Sequence, residues 1–376
     1  MKNVVVFGST GSIGRATLDV IDRNPGKFSV YGISACKQEG LLIRQIKKYR
    51  PKFAVFTEKN SEKSRVKTKK AKYLYGEDGL EFLATLPEVD IVVMAISGLA
   101  GLKCTLKALE AGKIVALATK EIIVCAGHLL TDKKGKILPV DSEHNAIFQI
   151  LNRENSGVSS IILTASGGPF LNYKGDIKKV SPEQVLKHPV WKMGKRISVD
   201  SATMMNKGLE IIEAFYLFGV KKESIKVVLH PQAIVHGFVK FCDGFVKAVC
   251  SIPDMRYSIN YCLNFPLRAD CGLPGLDVSK MRNLSFYDVR AGMFPCFDLA
   301  KEALKKEGSY LTVLNAADEE SVKIFLEGLI SFDKIPILIE KMLAKHKRVS
   351  VDTPDDILSL DFQIREKIRI EAGLCR

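Results

Sequence analysis

Short apolar runs alternate with amphipathic segments along the first part of the chain. The runs "NVVVFG", "FSVYGIS", "FAVF", "VDIVVMAI", "KIVALA" and "ILPV" are rich in β-branched residues, as strands are. The segments "SIGRATLDVIDRN" and "EGLLIRQIKKYR" carry apolar residues at helical spacing. Strands separated by helices are typical of a parallel sheet with crossover connections. The Lys-rich stretch 59–72 interrupts the series and is expected to be an exposed excursion.

The pattern changes from "SSIILTASGG" onward. The segment "SIKVVLHPQAIVHGFVKFCDGFVKAVCSI" predicts hairpin strands with a turn at "CDGF", and the turn-rich "RADCGLPGLDVSKMRNLSF" predicts a linker. After Gly292 the spacing is mostly helical. The expected fold class is α/β: an N-terminal Rossmann-like parallel-sheet domain (1–141), a central α+β domain (142–265), a linker (266–291) and a C-terminal α-helical domain (292–376).

The composition limits the class of protein and its partners. Against 42 Asp plus Glu there are 56 Lys plus Arg, a net charge of +14, which favours anionic partners such as phosphorylated metabolites. No basic-aromatic module of the RNA-binding type accompanies the charge, so a solvated basic surface is expected rather than nucleic-acid binding. The nine Cys form no C-x-x-C pair, and we expect reduced, buried thiols in a cytoplasmic protein. Neither a signal peptide nor a membrane-spanning run is evident.

A glycine loop, "VVVFGSTGSIG", follows the first predicted strand. Gly8, Gly11 and Gly14 allow a tight turn that leads into a helix, whose first N–H groups can bind a pyrophosphate. Ser9, Thr10 and Ser12 add hydroxyl donors. A plain strand-to-helix turn is the alternative, but the position after a strand favours a dinucleotide site. Lys37, after the second strand, suits a 2′-phosphate and therefore NADP, unless it is simply a solvated loop lysine.

Two carboxylates follow the last strand of this series, in "ILPVDSEHNAIFQ". If the segment is extended, Asp141 and Glu143 point to the same side, and two carboxylates that face each other need a cation between them. All-oxygen ligation suits Mg²⁺ or Mn²⁺. The alternative is that Asp141 or Ser142 only caps the following helix.

The stretch "DSATMMNKGLEIIEAF" predicts one helix that Asp200 or Ser201 caps. Asn206 and Glu210 lie four residues apart and share a face among apolar neighbours. Glu210 could complete a three-carboxylate cage. Ser201, Asn206 and Lys207 could hold a phosphate near the start of the helix. A polar face exposed to solvent is the alternative.

Two further stretches precede this helix. In "TASGGPF", Ser166 and the two glycines after it could form a backbone nest for a phosphate. In "HPVWKMGK", Trp191 is the only tryptophan of the chain and lies in a loop punctuated by Pro and Gly. This pattern is consistent with a lid over a ligand or with a tryptophan that merely packs on an ordered loop.

Taken together, these motifs resemble the 1-deoxy-D-xylulose 5-phosphate reductoisomerase family over nearly the whole chain. The matching segments are "GSTGSIG", "ALATKE", "PVDSEHNAIFQ", "TASGGPF", "HPVWKMGKRISVDSATMMNKGLEIIEA" and "PDMRYSI". The resemblance implies an NADPH domain, a catalytic domain, a linker and a helical domain, in a cytoplasmic homodimer. It implies the conversion of 1-deoxy-D-xylulose 5-phosphate to 2-C-methyl-D-erythritol 4-phosphate, an early step of non-mevalonate isoprenoid synthesis, with NADPH and Mg²⁺ or Mn²⁺.

The resemblance also implies roles for individual positions. The residues matching metal ligands are Asp141, Glu143 and Glu210, which together with Lys120 form the implied catalytic set. The residues matching contacts to the substrate are Lys120, Ser142, Glu143, Ser166, His188, Trp191, Ser201, Asn206, Lys207 and Glu210. The residues at positions matching contacts to NADPH are Thr10, Gly11, Ser12, Ile13, Lys37, Gln38, Thr119, Glu121 and Gly194.

The chain departs from the family pattern at two places. Cys36-Lys37-Gln38 stands where the family usually has Gly, a cation and Asn, and Thr119 stands where it usually has Asn. The cation is kept, so a preference for NADPH is expected. Two competing hypotheses are another NADP-dependent oxidoreductase acting on a phosphorylated hydroxyketone or semialdehyde and a non-catalytic NADP-sensing or nucleic-acid-binding protein. A semialdehyde dehydrogenase needs an activated cysteine nucleophile.

Overall fold

The computed structural model describes residues 1–58, 71–131, 133–171, 173, 175–187 and 194–374, which form two compact units. Most of the Lys-rich stretch therefore lies outside the described residues. The first unit comprises Met1–Ile122, Leu130–Asn145 and Asp254–Pro274. The second comprises Ile123–Leu129, Ala146–Pro253 and Gly275–Arg376. The boundaries of the predicted domains stay a prediction.

The described residues contain the following regular elements. The strands are β1 (Lys2–Phe7), β2 (Phe28–Ala35), β3 (Phe53–Phe56), β4 (Lys72–Tyr75), β5 (Ile91–Met94), β6 (Ile114–Leu117), β7 (Lys136–Pro139), β8 (Val158–Ala165), β9 (Ile225–Leu229), β10 (Val235–Phe241), β11 (Val246–Cys250) and β12 (Tyr287–Asp288). The helices are α1 (Ser12–Asp22), α2 (Glu39–Tyr49), α3 (Gly76–Thr85), α4 (Leu102–Glu110), α5 (Lys120–Leu130), α6 (Ser142–Leu151), α7 (Pro182–Val185), α8 (Lys195–Ala202), α9 (Met205–Phe218), α10 (Met255–Asn264), α11 (Pro295–Lys306), α12 (Ser309–Leu326), α13 (Lys334–Lys345) and α14 (Pro354–Glu371).

The first unit is built on a seven-stranded parallel sheet in the order β4-β3-β2-β1-β5-β6-β7. The central strand β1 is buried from Val4 to Phe7, because a parallel sheet is covered on both faces. This burial explains why the strands appear as continuous apolar runs in the sequence. The predicted Rossmann-like parallel sheet is confirmed.

The edge of this sheet where the strands begin is held by a buried ammonium group. Lys113, just before β6, donates to the carbonyl oxygens of Leu86 and Val89 at 2.6 and 2.8 Å. A third contact reaches the carbonyl of Pro87 at 3.4 Å. The ammonium therefore satisfies three carbonyls of the α3–β5 connection.

The second unit contains a five-stranded mixed sheet in the order β11-β10-β8-β9-β12. Strands β8 and β9 are parallel and the other pairs are antiparallel. The hairpin predicted at "CDGF" is confirmed as β10–β11, with Gly244 at φ +93° in the turn. The helices α11 to α14 follow along the chain, as the C-terminal pattern predicts.

The stretch predicted as one helix from Asp200 is two helices. α8 ends at Ala202 and α9 begins at Met205, and between them Met204 takes a left-handed conformation with φ +60°. The predicted cap at Asp200 or Ser201 is wrong, because both residues lie inside α8. The hydroxyl of Thr203 instead accepts from the N–H of Met205 at 3.2 Å. A left-handed backbone is uncommon for a residue with a side chain, so tertiary packing must impose this turn.

A network of charges joins α8, α12 and α14 within the second unit. Arg196 of α8 pairs with Glu319 of α12, whose other oxygen pairs with Arg365 of α14. Arg365 also contacts both oxygens of Asp361, at 2.6 and 3.0 Å. Because a guanidinium group binds a carboxylate through directional bonds, the network ties α8 to the C-terminal helices.

Asp318 is fully buried beside this network. Burial, together with the neighbouring charge of Asp200, raises the pKa of Asp318 well above its ordinary value. Folding therefore takes up a proton at this carboxyl at pH values between its pKa in the unfolded chain and its raised pKa in the folded protein. The contribution of Asp318 to the free energy of unfolding is fully present below the pKa of this carboxyl in the unfolded chain, about 4. It is lost as the pH rises toward the higher pKa of the same carboxyl in the folded protein.

We expect Asp318→Asn to remove this pH dependence, because the amide has nearly the same shape and carries no charge. The unfolding free energy of the variant relative to the parent should rise as the pH increases above the unfolded pKa of about 4, by at most about 1.4 kcal/mol per pH unit, in a series measured from about pH 5 to 8. Urea unfolding over this range measures it. Asp288→Asn, at an exposed carboxylate of the same unit, supplies the baseline. A difference for Asp318→Asn that is equal at every pH contradicts the assignment.

Candidate active site

The glycine loop connects β1 to α1 in the first unit. Gly8 has φ +75°, and the N–H of Gly11 donates to the carbonyl of Gly8 at 3.0 Å. A Cβ at Gly8 would overlap the carbonyl of Ala95, and a Cβ at Gly14 would overlap the carbonyl of Gly8. Only glycine fits at these two positions, and the tight turn expected from the sequence is present.

The start of α1 suits an anion. The helix begins after Gly11, which supplies no side-chain cap, so the first N–H groups can bind a phosphate. Ser12 is exposed, Ile13 is half-buried and Thr10 is buried. The expectation for Ser9 is wrong, because its fully buried hydroxyl donates to Oε1 of Gln45 at 2.7 Å and faces the protein.

The segment Cys36-Lys37-Gln38 lies between β2 and α2 and is exposed. It follows the carboxyl end of β2, which is the neighbour of β1 in the parallel sheet. Ligands of such sheets bind beyond the carboxyl ends of the strands. Lys37 therefore lies at the edge of the sheet that also carries the glycine loop.

Lys120 and Asp141 form an ion pair in the first unit. Lys120 is the first residue of α5, Asp141 follows β7, and their Nζ and Oδ2 atoms are 2.6 Å apart. Both side chains are largely buried, at 10% and 15% exposed. The preceding Thr119 donates its hydroxyl to the carbonyl of Ile96 at 2.7 Å, and Glu121 is half-buried. Lys120 and Asp141 are 21 positions apart in the sequence, and the pairing of β6 with β7 brings them together.

The expectation of an extended segment from Asp141 to Glu143 is wrong. α6 begins at Ser142, so Glu143 lies in its first turn, and the hydroxyl of Ser142 donates to the Glu143 carboxylate. His144 was not predicted as a site residue, yet it is fully buried and its Nδ1 lies 3.7 Å from Oδ1 of Asp141. The sequence feature that could have indicated this contact is the position of His144 three residues after Asp141, which is one helical turn away.

Lys207 and Glu210 form a buried ion pair in α9 of the second unit. The Lys207 ammonium contacts Oε2 of Glu210, and Asn206 donates its amide to Oε1 at 2.6 Å. The two charged side chains are only 3% and 1% exposed. The alternative of a polar face exposed to solvent is therefore excluded for these two residues.

The loop after β8 approaches α8 in the same unit. Gly167 and Gly168 have φ of +81° and +68°, and the N–H of Gly168 lies 3.4 Å from the hydroxyl of Ser166. A Cβ at Gly168 would overlap the carbonyl of Ser201, so the loop packs directly on the end of α8. The candidate phosphate residues Ser166 and Ser201 thus belong to adjacent segments.

Two predicted site residues, His188 and Trp191, lie outside the described residues. Gly194 is described and is the exposed N-cap of α8, where its carbonyl accepts from the N–H of Ser198 at 3.1 Å.

The cysteines only partly follow the expectation of buried thiols. Among the described cysteines Cys36, Cys242 and Cys250 are exposed, although Cys250 ends an apolar run. Burial raises the pKa of the Cys104 and Cys262 thiols well above the ordinary value, which is the opposite of an activated nucleophile.

As for membrane segments, none of the helices in the described ranges is both long and apolar enough to cross a bilayer.

Three family profiles match consecutive parts of the chain. Residues 4–127 match the profile described as 1-deoxy-D-xylulose 5-phosphate reductoisomerase, and residues 137–218 match the C-terminal domain of the same enzyme. Residues 250–367 match the DXP reductoisomerase C-terminal domain.

Relatives and solved structures agree with the profiles over full length. The chain is 45% identical to the 1-deoxy-D-xylulose 5-phosphate reductoisomerase of Thermodesulfovibrio yellowstonii, with 99% of this chain and 100% of that protein covered. The enzyme of Caldanaerobacter subterraneus is 45% identical, with 98% of each chain covered. A DOX-P reductoisomerase solved in complex with NADPH, fosmidomycin and magnesium superimposes with a TM-score of 0.92 at 32% identity, covering 100% of this chain and 99% of that one. The Zymomonas mobilis enzyme in complex with NADPH gives 0.91 at 38% identity, covering all of both chains. The chain belongs to the 1-deoxy-D-xylulose 5-phosphate reductoisomerase family.

Proposed function

We propose that this protein converts 1-deoxy-D-xylulose 5-phosphate to 2-C-methyl-D-erythritol 4-phosphate, with NADPH as reductant and a divalent cation. The observation that carries the proposal is the match to reductoisomerases over the full length of both chains. The site residues are chemically consistent with it, since carboxylates, lysines and small hydroxyl residues are what a cation and a phosphorylated sugar require.

The glycine loop and the start of α1 hold the NADPH pyrophosphate. A Cβ at Gly8 or Gly14 would overlap backbone atoms of the same unit, so these glycines allow the tight turn that presents the start of α1 to the phosphates. Lys37 attracts the 2′-phosphate, and Thr10, Gly11, Ser12, Ile13, Gln38, Thr119, Glu121 and Gly194 complete the proposed contacts. NADPH, when bound, supplies the hydride that reduces the rearranged aldehyde.

Asp141, Glu143 and Glu210 ligate the cation, Mg²⁺ or Mn²⁺. All three offer only oxygen atoms, the donors that such hard cations prefer. The cation, when bound, acts as a Lewis acid on the carbonyl and hydroxyl oxygens of the substrate. Lys120, paired with Asp141 at 2.6 Å, places a positive charge and a proton donor beside the same carboxylate.

The substrate phosphate binds to residues of the second unit. Ser166 and Ser201 lie on adjacent segments, and Asn206 and Lys207 occupy the first turn of α9. Ser142, His188 and Trp191 complete the proposed substrate contacts, with Trp191 closing over the ligand. Binding energy from the phosphate, which does not react, orients the carbons that do.

We expect purified protein to oxidise NADPH only when 1-deoxy-D-xylulose 5-phosphate and Mg²⁺ are both present. Chelation by EDTA should abolish the loss of NADPH absorbance, and added Mg²⁺ or Mn²⁺ should restore it, because the substrate oxygens need the Lewis acid. Absorbance at the nicotinamide band measures the rate. NADPH oxidation that persists unchanged in EDTA argues against the cation, and bound NADPH without turnover argues against this substrate.

We expect Glu210→Gln to lower kcat by about 100-fold or more, because a neutral amide is a poor ligand for a hard cation. The Kd for NADPH, measured by fluorescence titration, should stay within about threefold of the parent. Glu213→Gln is the matched control, since it makes the same change at a buried position of the same helix. If Glu210→Gln loses NADPH affinity while its Mn²⁺ affinity is unaltered, the metal assignment is wrong.

We further propose a cytoplasmic homodimer, supported by the family resemblance. Sedimentation equilibrium should give about twice the chain mass of 41.6 kDa. A mass equal to that of the single chain across the working concentration range would count against the dimer. Fractionation of the source cells against a cytoplasmic marker tests the location.

A further inference from the structure

Gln45 of α2 holds the glycine loop by a two-point contact. Its side chain is 6% exposed, and its Oε1 accepts from the hydroxyl of Ser9 at 2.7 Å. Its Nε2 donates to the carbonyl oxygen of Ser9 at 2.9 Å. The orientation of the amide is determined, because a carbonyl oxygen can only accept a hydrogen bond.

The same loop is tied to β2 through Ser34. The N–H of Ser9 donates to the carbonyl of Ser34 at 2.9 Å, and the hydroxyl of Ser34 accepts from the N–H of Gly8 at 2.9 Å. Ser9 is fully buried, so solvent cannot replace the bonds that Ser9 makes. The backbone at the turn into α1 therefore has its position set by Gln45 and Ser34 together.

α2 connects both ends of the proposed cofactor site. The helix begins at Glu39, directly after Lys37 and Gln38, and Gln45 lies about two turns further along, roughly 10 Å from Gln38. A shift of α2 would thus move the cation proposed for the 2′-phosphate and release the pyrophosphate loop at the same time. An apolar side chain would fill the position beside Leu42 and Ile46 as well as glutamine does, but it would leave both polar atoms of Ser9 without these bonds.

We propose that Gln45 is a positioning residue for the cofactor: it presets the glycine loop in the conformation that receives the pyrophosphate. The proposal rests on the proposed NADPH site. Part of the binding energy of NADPH is then not needed to order the loop, because the loop is held before the cofactor arrives.

The test compares NADPH binding by Gln45→Met and by the parent protein. Methionine keeps the length of the side chain and removes both bonds. We expect the Kd for NADPH, from fluorescence titration, to rise about tenfold. We expect KM for NADPH to rise in parallel, while kcat and KM for the sugar phosphate stay within about threefold.

Lys113→Met is the matched control for lost stability. It also removes a buried polar clamp of the first unit, but at the edge where the strands begin, opposite the loop. It should lower the melting temperature and leave the Kd for NADPH unchanged. An equal rise of the Kd in both variants would show general destabilisation and overturn the proposal.

Ser9→Ala provides a second variant in case Gln45→Met does not fold. It removes only the hydroxyl contact, so a smaller rise of the Kd is expected, and the double variant should fall short of the sum of the two effects. A parent protein that binds NADPH and a Gln45→Met variant of unchanged affinity overturn this inference alone. A parent protein that binds no NADPH overturns the proposed function instead.

Discussion

A carboxylate buried in a protein must be neutralised, and this requirement governs the arrangement of the second unit. Glu210 is 1% exposed and meets it with the Lys207 ammonium and the Asn206 amide, all within two turns of α9. Removing one partner of such a pair costs about 3–5 kcal/mol. A buried ion pair stabilises a protein less than apolar side chains that fill the same volume would. Stability alone therefore does not explain why Lys207 and Glu210 lie among apolar neighbours, whereas the binding of charged ligands by the two side chains does.

The first unit meets a different constraint, which is set by the parallel sheet. The carboxyl ends of parallel strands lie at one edge, so the segments that follow β1, β2, β6 and β7 gather there. These segments carry the glycine loop, Lys37, Lys120 and Asp141. Residues far apart in the chain thereby become neighbours without any local signal, as the 2.6 Å contact of Lys120 with Asp141 illustrates.

The sequence predicted those features whose cause is local. Gly14 is required by its close approach to the backbone of Gly8 within the same turn, and the strands of the parallel sheet appear as continuous apolar runs. The break at Met204 could not be predicted, because methionine is a good helix former, no proline or glycine lies between Ala202 and Met205, and only tertiary packing imposes a left-handed residue there. The hydroxyl of Ser9 was assigned to the cofactor for a similar reason, since its partner Gln45 is 36 residues away.

The break at Met204 also explains why the C-terminal helices matter to a site that lies outside them. A continuous helix would carry Ser201 and Lys207 on one rigid axis, whereas two helices need separate supports. α8 has such a support in the pairing of Arg196 with Glu319, which Arg365 holds in turn. α9 has another where Gly208 packs so closely on Ala300 of α11 that a Cβ would overlap it. Because each of the two helices is held by a C-terminal element, the C-terminal helices position the residues proposed to bind the phosphate without supplying any of them.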